Sequence, residues 1–237
     1  MKILLNGALG RMGQAIIKKY GQNNEIISVD ARDEIYPSLS SYEGNAEAII
    51  DFSNHAGTKD LLDYAIKNNT PVVIATTGQT KEELDMIDEA SKLIPIFFSF
   101  NMSIGIAMLA DFAKKAAAMM NDAEIEIVET HHDQKLDAPS GTAILLAKAM
   151  QESRNDAPIV CGRNGHAKRE PKEIGISSIR IGNVVGIHEI IISSGLETIT
   201  LKHEAHDRSL FADGAMKAAE FLIGKEPGLY EMKDMVK

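Results

Sequence analysis

The chain has no tryptophan and one cysteine, Cys161, in 237 residues. A lone thiol excludes an internal disulfide framework and suits a reducing compartment. Basic residues are in deficit: 25 Lys and Arg against 34 Asp and Glu give a formal net charge of −9. That balance excludes sequence-independent nucleic-acid binding, which depends on neutralising phosphates. No apolar run approaches the ~20 residues that a bilayer core demands. Asn6, Gly7 and Arg11 interrupt the apolar amino terminus, so it does not read as a signal peptide. The expectation is a cytoplasmic protein with neither a membrane nor a nucleic-acid partner. One adjacent histidine pair and one cysteine do not make a tetrahedral set, so no metal is expected. Repeats and low-complexity tracts are also missing. What is present is enough chain for one large or two modest domains.

The first hundred residues alternate short apolar runs with amphipathic ones. Residues 2–6, 25–30, 47–52, 71–75 and 95–99 read as buried strands, and 14–20, 58–67 and 81–93 as helices. Strands separated by helices predict a parallel sheet covered on both faces, a Rossmann-type doubly wound α/β fold. Between the first strand and the first helix stands Gly7-Ala8-Leu9-Gly10-Arg11-Met12-Gly13, and the second strand ends in Asp30. A glycine turn between strand and helix, with an acid at the end of the next strand, is the layout of a dinucleotide site. Asp30 suits the ribose hydroxyls of NAD, whereas Arg11 and Arg32 suit the extra phosphate of NADP. NADPH and NADH both remain open. Ligands of such sheets sit at the carboxyl ends of strands. This groups Asp51-Phe52-Ser53, Thr76-Thr77-Gly78 and Ser99-Phe100-Asn101-Met102 around one crevice.

Past residue 103 the pattern changes. Residues 104–120 form one long Ala- and Met-rich helix, and 123–129 alternate at period two. Residues 176–181, 186–193 and 196–204 read as strands without intervening helices, which predicts a mixed or antiparallel sheet in a smaller α+β domain. The polar stretch 153–175 reads as a long loop, 210–222 as a helix and 224–230 as a turn region. The expected division is 1–103, completed by 208–237, for the dinucleotide, and 104–207 for substrate and oligomerisation.

The densest chemistry lies in Glu129-Thr130-His131-His132-Asp133-Gln134-Lys135-Leu136-Asp137-Ala138-Pro139-Ser140-Gly141-Thr142. Either imidazole exchanges protons near neutrality. Lys135 can neutralise a carboxylate or donate a proton. Residues 143–150 are strongly helical, so Gly141 and Thr142 fall at a helix start, whose amides lack internal partners and carry the positive dipole end. The segment reads as a dicarboxylate pocket with proton-transfer groups beside it.

Together, the motif Glu129-x-His131-His132-x-x-Lys135-x-Asp137-Ala138-Pro139-Ser140-Gly141-Thr142-Ala143, the turn Gly7-x-x-Gly10-Arg11-Met12-Gly13, Asp51-Phe52-Ser53, Thr76-Thr77-Gly78, Asn101-x-Ser103-x-Gly105 and Arg208-x-x-Phe211-Ala212-x-Gly214-Ala215 span nearly the whole chain. In this it resembles the 4-hydroxy-tetrahydrodipicolinate (dihydrodipicolinate) reductases of bacterial lysine and diaminopimelate synthesis. The resemblance implies that His131 is the catalytic histidine and Lys135 the proton donor. It implies that His132, Gly141 and Thr142 hold the carboxylates of a small cyclic dicarboxylate. It assigns Gly7, Ala8, Leu9, Gly10, Arg11 and Met12 to the pyrophosphate and Asp30 to the adenosine ribose. Ala75, Thr76 and Thr77, with Ser99, Phe100, Asn101 and Met102, fall in the two loops at the nicotinamide end. It further implies a cytoplasmic homotetramer built through the second domain.

Two positions depart from the family pattern. Ala75 stands where Gly is usual, and Asn54 where Arg often follows the Asp-Phe-Ser stretch. The implied reaction is loss of the substrate hydroxyl as water, with hydride transfer from NADPH or NADH to C4 of the ring. Two other classes compete: another two-domain NAD(P)-dependent dehydrogenase acting on a small carboxylate, and a non-catalytic nucleotide sensor. A sensor gives no reason to keep His131, His132, Lys135 and the Gly141-Thr142 helix start together.

Overall fold

The computed structural model describes residues 1–32, 35–155 and 157–236. The chain forms two compact units, Met1–Ile104 with Arg208–Lys237, and Gly105–Asp207.

The first unit begins β1 (Lys2–Asn6), α1 (Arg11–Tyr20), β2 (Glu25–Val29), β3 (Ala48–Asp51), α2 (Thr58–Lys67), β4 (Val72–Ile74), α3 (Lys81–Ser91) and β5 (Pro95–Phe98). Every residue of β3 and β4 is buried, as expected of strands covered on both faces. Leu4, Ile49, Val72, Ile74 and Ile96 pack with Leu61, Leu62 and Ala65 of α2 and Ile87 and Ala90 of α3. Thr80 and Glu83 form a reciprocal capping box that fixes where α3 starts. The pairings β1–β2 and β1–β3 place β1 at the point where the strand order reverses. Asn6, Val29 and Asp51 are in register there, so the loops after β1, β2 and β3 leave from one edge of the sheet.

In the second unit, α4 (Ile104–Met119) precedes β6 (Glu124–His131), α5 (Gly141–Gln151), β7 (Ile159–Cys161), β8 (Ile174–Arg180), β9 (Gly186–Ser193) and β10 (Thr198–Ala205). The sheet order is β10-β9-β6-β8-β7, antiparallel on the β9 side of β6 and parallel on the β8 side. The stretch expected as a loop therefore carries an edge strand, β7, which the few apolar residues around Cys161 were too short to announce; Asp156 in that stretch lies outside the described residues. Along β6, burial alternates at period two. Ile125 and Ile127 face the core with Leu109 and Ala113 of α4 and Leu146, Ala147 and Met150 of α5. The next two residues in that phase are Glu129 and His131, so the apolar row ends in charge beside the start of α5.

The chain then returns to the first unit with α6 (Ser209–Leu222), β11 (Gly228–Tyr230) and α7 (Met232–Met235). Helix α6 packs on α1 and on β3, β4 and β5. A Cβ on Gly214 would lie 1.7 Å from the Met102 carbonyl oxygen, so only glycine lets α6 sit this close. The tail expected as a turn region extends the parallel sheet: β11 pairs with β5, and Phe221 stacks edge-on against both Phe97 and Tyr230. Three residues are too few for periodicity to register, and the pairing partner, β5, lies far away in sequence.

Candidate functional site

The second unit gathers its polar groups around one carboxylate. Glu129 is fully buried. Its Oε2 accepts from His131 Nδ1 at 2.5 Å and from Arg180 Nη1 at 2.9 Å. Its Oε1 accepts from Arg180 Nη2 at 2.8 Å and from the Ser140 amide at 3.1 Å. Strand pairing produces this convergence. His131 and Arg180 are register partners across β6 and β8, and Glu129 and His188 across β6 and β9. Burial by itself pushes the Glu129 carboxyl up, but the bonds from Arg180, Ser178, His131 and Ser140 outweigh it and hold the group at about 2. Glu129 is therefore a carboxylate at neutral pH.

His131 is nearly buried, and that burial lowers its pKa below the ordinary histidine value. Glu129 opposes the shift, while Lys135 and Arg180 add to it. With Nδ1–H directed at a carboxylate, the neutral ring carries its lone pair on Nε2. A Cβ on Gly186 would lie 3.0 Å from that nitrogen, so glycine there keeps it uncrowded. The His188 ring stands edge-on to His131 at 5.1 Å, and its Nε2 lies 3.1 Å from Ser140 Oγ. Burial, then the neighbouring His131, drive His188 down to about 3, so it stays neutral.

Ser140 caps α5, its hydroxyl accepting from the Ala143 amide at 3.1 Å. A Cβ on Gly141 meets nothing within 4 Å, so the Cα at the start of α5 has open space beside it. Thr142 follows it in the first turn. The Lys135 ammonium pairs with Asp137 at 2.8 Å, and the Asp137 carbonyl accepts from Arg180 Nη2 at 2.5 Å. The His132 amide bonds to the Val184 carbonyl at 2.8 Å, which fixes the loop after β6. His131, Lys135 and the α5 start are thus tied into one network through Glu129 and Arg180.

Sequence reading singled out His131, His132, Lys135, Gly141 and Thr142, but not Arg180, His188, Ser140 or Gly186. A signal was present for His188, which sits in phase with Ile190 and Ile192, the inward residues of β9. Arg180 closes β8 and gives no such sign. Only the register of β8 on β6 brings it to Glu129.

The first unit presents its own set of groups at the carboxyl edge of its sheet. Gly7 has φ of +86°, and a Cβ there would lie 2.5 Å from the Phe52 carbonyl oxygen. A Cβ on Gly13 would lie 2.4 Å from the Gly7 carbonyl oxygen, so the loop lies flat on α1. Gly10 caps α1, with no side chain closing its first turn. Ala8 is buried, Arg11 is exposed and Met12 is partly exposed. A cradle of backbone closed by glycines at the start of a helix fits the pyrophosphate of a dinucleotide. Asp30 is buried and engaged on all sides: Oδ2 accepts from the Leu9 amide at 2.9 Å and from Arg32 Nη2 at 2.7 Å, and Oδ1 from the Arg32 amide and Nε. Arg32 first, and the Leu9 amide after it, hold the Asp30 carboxyl at about 2.

Asp51 closes the neighbouring loops. It is fully buried and accepts from Asn6 Nδ2 at 2.8 Å, Ser53 Oγ at 2.5 Å and Thr76 Oγ1 at 2.5 Å. Burial raises its pKa, against the pull of those donors. Thr76 thus turns its hydroxyl inward, and Thr77 is the exposed residue of that pair. Ala75 is buried, and its amide bonds to the Asp51 carbonyl. Phe100 is exposed and stacks edge-on against Phe98, while Ser99 Oγ bonds the Asn101 carbonyl at 2.8 Å. The Met102 side chain is buried. The Asn54 side chain accepts from the Ala56 amide and caps a short 3-10 turn. Among the described residues, no group of three or more His, Cys, Asp and Glu side chains is placed to hold a metal, and no helix is long and apolar enough to cross a membrane.

Comparison with known proteins covers both units. The family model described as dihydrodipicolinate reductase, N-terminus, matches residues 1–102, and that described as dihydrodipicolinate reductase, C-terminus, matches residues 105–236. The 4-hydroxy-tetrahydrodipicolinate reductase of Clostridium novyi (strain NT) is 45% identical, covering 100% of this chain and 98% of the relative. The enzyme of the same name from Caldanaerobacter subterraneus subsp. tengcongensis is 42% identical over the same shares. Among solved structures, a dipicolinate-bound dihydrodipicolinate reductase from Paenisporosarcina sp. TG-14 superposes with a TM-score of 0.79 at 23% identity, covering 98% of each chain. A probable dehydrogenase from Thermotoga maritima reaches 0.64 at 12% identity, covering 99% of this chain and 92% of its own. The chain belongs to the dihydrodipicolinate reductase family and is an NAD(P)H-dependent oxidoreductase that reduces 4-hydroxy-tetrahydrodipicolinate in lysine and diaminopimelate synthesis.

Proposed function

We propose that the second unit (104–207) binds the substrate, a small cyclic dicarboxylate, and that the first (1–103 with 208–237) binds the dinucleotide. One substrate carboxylate rests on the start of α5, at Gly141 and Thr142, with His132 and the Lys135 ammonium as further partners. The relative from Paenisporosarcina, bound to dipicolinate, supports a ligand of this shape and charge. His131 and Lys135 carry the proton transfers. The carrying observation is the bond between His131 Nδ1 and buried Glu129, which, in a ring that burial keeps neutral, leaves Nε2 as the reactive nitrogen.

From Nε2, His131 removes a proton from the ring carbon beside the imine, and Lys135 protonates the departing hydroxyl, releasing water. Bound NAD(P)H supplies the hydride that reduces the resulting conjugated ring at C4. Protonated His131 then returns its proton to the carbon beside the imine, and Lys135 recovers one from solvent. Net consumption is one hydride and one proton for each water released. Reacting carbons must come within about 3–3.5 Å, so orientation of the ring by its carboxylates is a large part of the catalysis.

At the dinucleotide end, Gly7, Ala8, Leu9, Gly10, Arg11 and Met12 receive the pyrophosphate. Ala75, Thr76, Thr77, Ser99, Phe100, Asn101 and Met102 flank the nicotinamide side, with Ala75, Thr76 and Met102 contributing backbone. Arg32 competes with ribose hydroxyls for Asp30 and supplies the cation that a 2′-phosphate would take. NADPH is therefore the better substrate, with NADH also used.

The outer face of the second sheet supports assembly. Opposite α4 and α5, the register brings Val128, Thr130, Ile187 and Ile191 to a surface that also carries exposed Ile179. A homotetramer formed through this face would bury them. The exposed free thiol of Cys161 is in keeping with a cytoplasmic location.

Replacing His131 or Lys135 with Ala should lower kcat/KM by about 10²–10⁴-fold, the usual reach of general acid–base groups, with NADPH affinity by titration calorimetry nearly unchanged; full activity in both variants would refute the assignment. Arg32→Ala should raise the KM for NADPH about tenfold, the equivalent of one charge-assisted hydrogen bond, and lower that for NADH by freeing Asp30; equal increases for both would rule out the phosphate contact. Light scattering should give a mass four times the 25.8 kDa of one chain, with the protein in the soluble cytoplasmic fraction of the cell, whereas a monomer or an extracellular enzyme would contradict these two readings.

A further inference from the structure

Glu129 carries contacts beyond the His131 bond on which the proton-transfer scheme rests. Besides the Ser178 hydroxyl, four donor bonds reach it from three separate stretches of chain: His131 on its own strand, Arg180 (twice) at the end of β8, and the Ser140 amide at the start of α5. Arg180 extends the reach by binding the Asp137 carbonyl, and Asp137 in turn pairs with Lys135. A buried ion pair kept for stability alone needs only Glu129 and Arg180. The further donors, an imidazole nitrogen and a helix-start amide, belong to the two features on which the proposed chemistry depends.

We infer that Glu129 is a positioning residue: its carboxylate selects the Nδ1–H tautomer of His131 and sets that ring in register with the start of α5. This rests on the site reading above and assigns a role to a residue that touches neither substrate nor dinucleotide. Of the four bonds from His131, Arg180 and Ser140, three come from groups that only donate, two guanidinium nitrogens and an amide. A carboxylate satisfies all four at once. A glutamine cannot: with its oxygen facing Arg180 Nη2 and Ser140, its NH₂ faces His131 Nδ1 and Arg180 Nη1. The amide then donates to Nδ1, and the imidazole must carry its hydrogen on Nε2. The lone pair needed for proton abstraction is gone while the volume is kept.

The test is long-range ¹⁵N–¹H correlation spectroscopy of histidine-labelled enzyme, with the His131 ring assigned by its loss in His131→Asn. Wild type should show the Nδ1–H form and Glu129→Gln the Nε2–H form, with kcat at least about thirtyfold lower and the KM for NADPH within twofold. Removing the carboxylate also removes support for the imidazolium. The acid limb of kcat/KM, where activity falls as His131 protonates, should therefore move to lower pH in whatever activity remains. An unchanged tautomer and an unmoved limb, with only a lower melting temperature, would overturn the inference and leave Glu129 a structural residue. If Glu129→Gln does not fold, Glu129→Asp carries the test: it keeps the charge but loses reach, and should weaken the Nδ1–H signal and lower kcat, whereas unchanged values would refute the role. Activity surviving in His131→Ala would sink the site reading itself, and is separable from these outcomes.

Discussion

A carboxylate that cannot reach water must have every lone pair answered, and Glu129 has its lone pairs answered by the groups that define the site. Burial alone would make it a weak acid; the guanidinium, imidazole and amide around it make it a stronger one than an exposed glutamate. That reversal fixes several things together. It orients an imidazole, sets its tautomer, anchors the first turn of α5, and through Arg180 ties down the loop that carries Lys135. The cost of desolvating a charge is offset by hydrogen bonds whose geometry is also the geometry of the proposed chemistry.

The first unit uses the same device twice at strand ends. Asp30, after β2, ties the Leu9 amide of the glycine turn to Arg32. Asp51, ending β3, gathers Asn6 from the end of β1 and Ser53 and Thr76 from the loops after β3 and β4. Loops at the carboxyl edge of a parallel sheet have no ladder of their own, so their backbones need such anchors. The glycines then do what side chains would prevent: Gly7 and Gly13 let the turn lie against Phe52 and α1, and Gly214 lets α6 approach the Met102 carbonyl.

The parallel half of the fold was legible through β1 to β5 because those strands are mostly apolar runs and the helices between them separate amphipathic ones. The second sheet was legible as strands but not in its pairing: nothing local in Ile174–Arg180 says that it runs parallel to β6. Strands β7 and β11, three residues each, are flanked by polar residues and glycine, whereas the equally short β4 lies in the longer apolar run 71–75. Of the site, the groups clustered in one segment (129–142) stood out because the chemistry is dense there. Arg180 and His188 arrive from 38 or more residues beyond that segment through sheet register alone. Asp30 was read as a ribose ligand from its position, but a sequence does not show that Arg32 and the Leu9 amide engage both of its oxygens.

The central claim is that the Glu129 network presents a helix start and an imidazole nitrogen to one face of a dicarboxylate ring. A crystal structure of the enzyme with oxidised dinucleotide and a non-reducible aromatic analogue of the product tests it most directly. The account predicts one carboxylate on the amides of Gly141 and Thr142, with His131 Nε2 directed at the ring and Nδ1 still on Glu129. A ring bound with its carboxylates away from α5, or His131 rotated off Glu129, would contradict it.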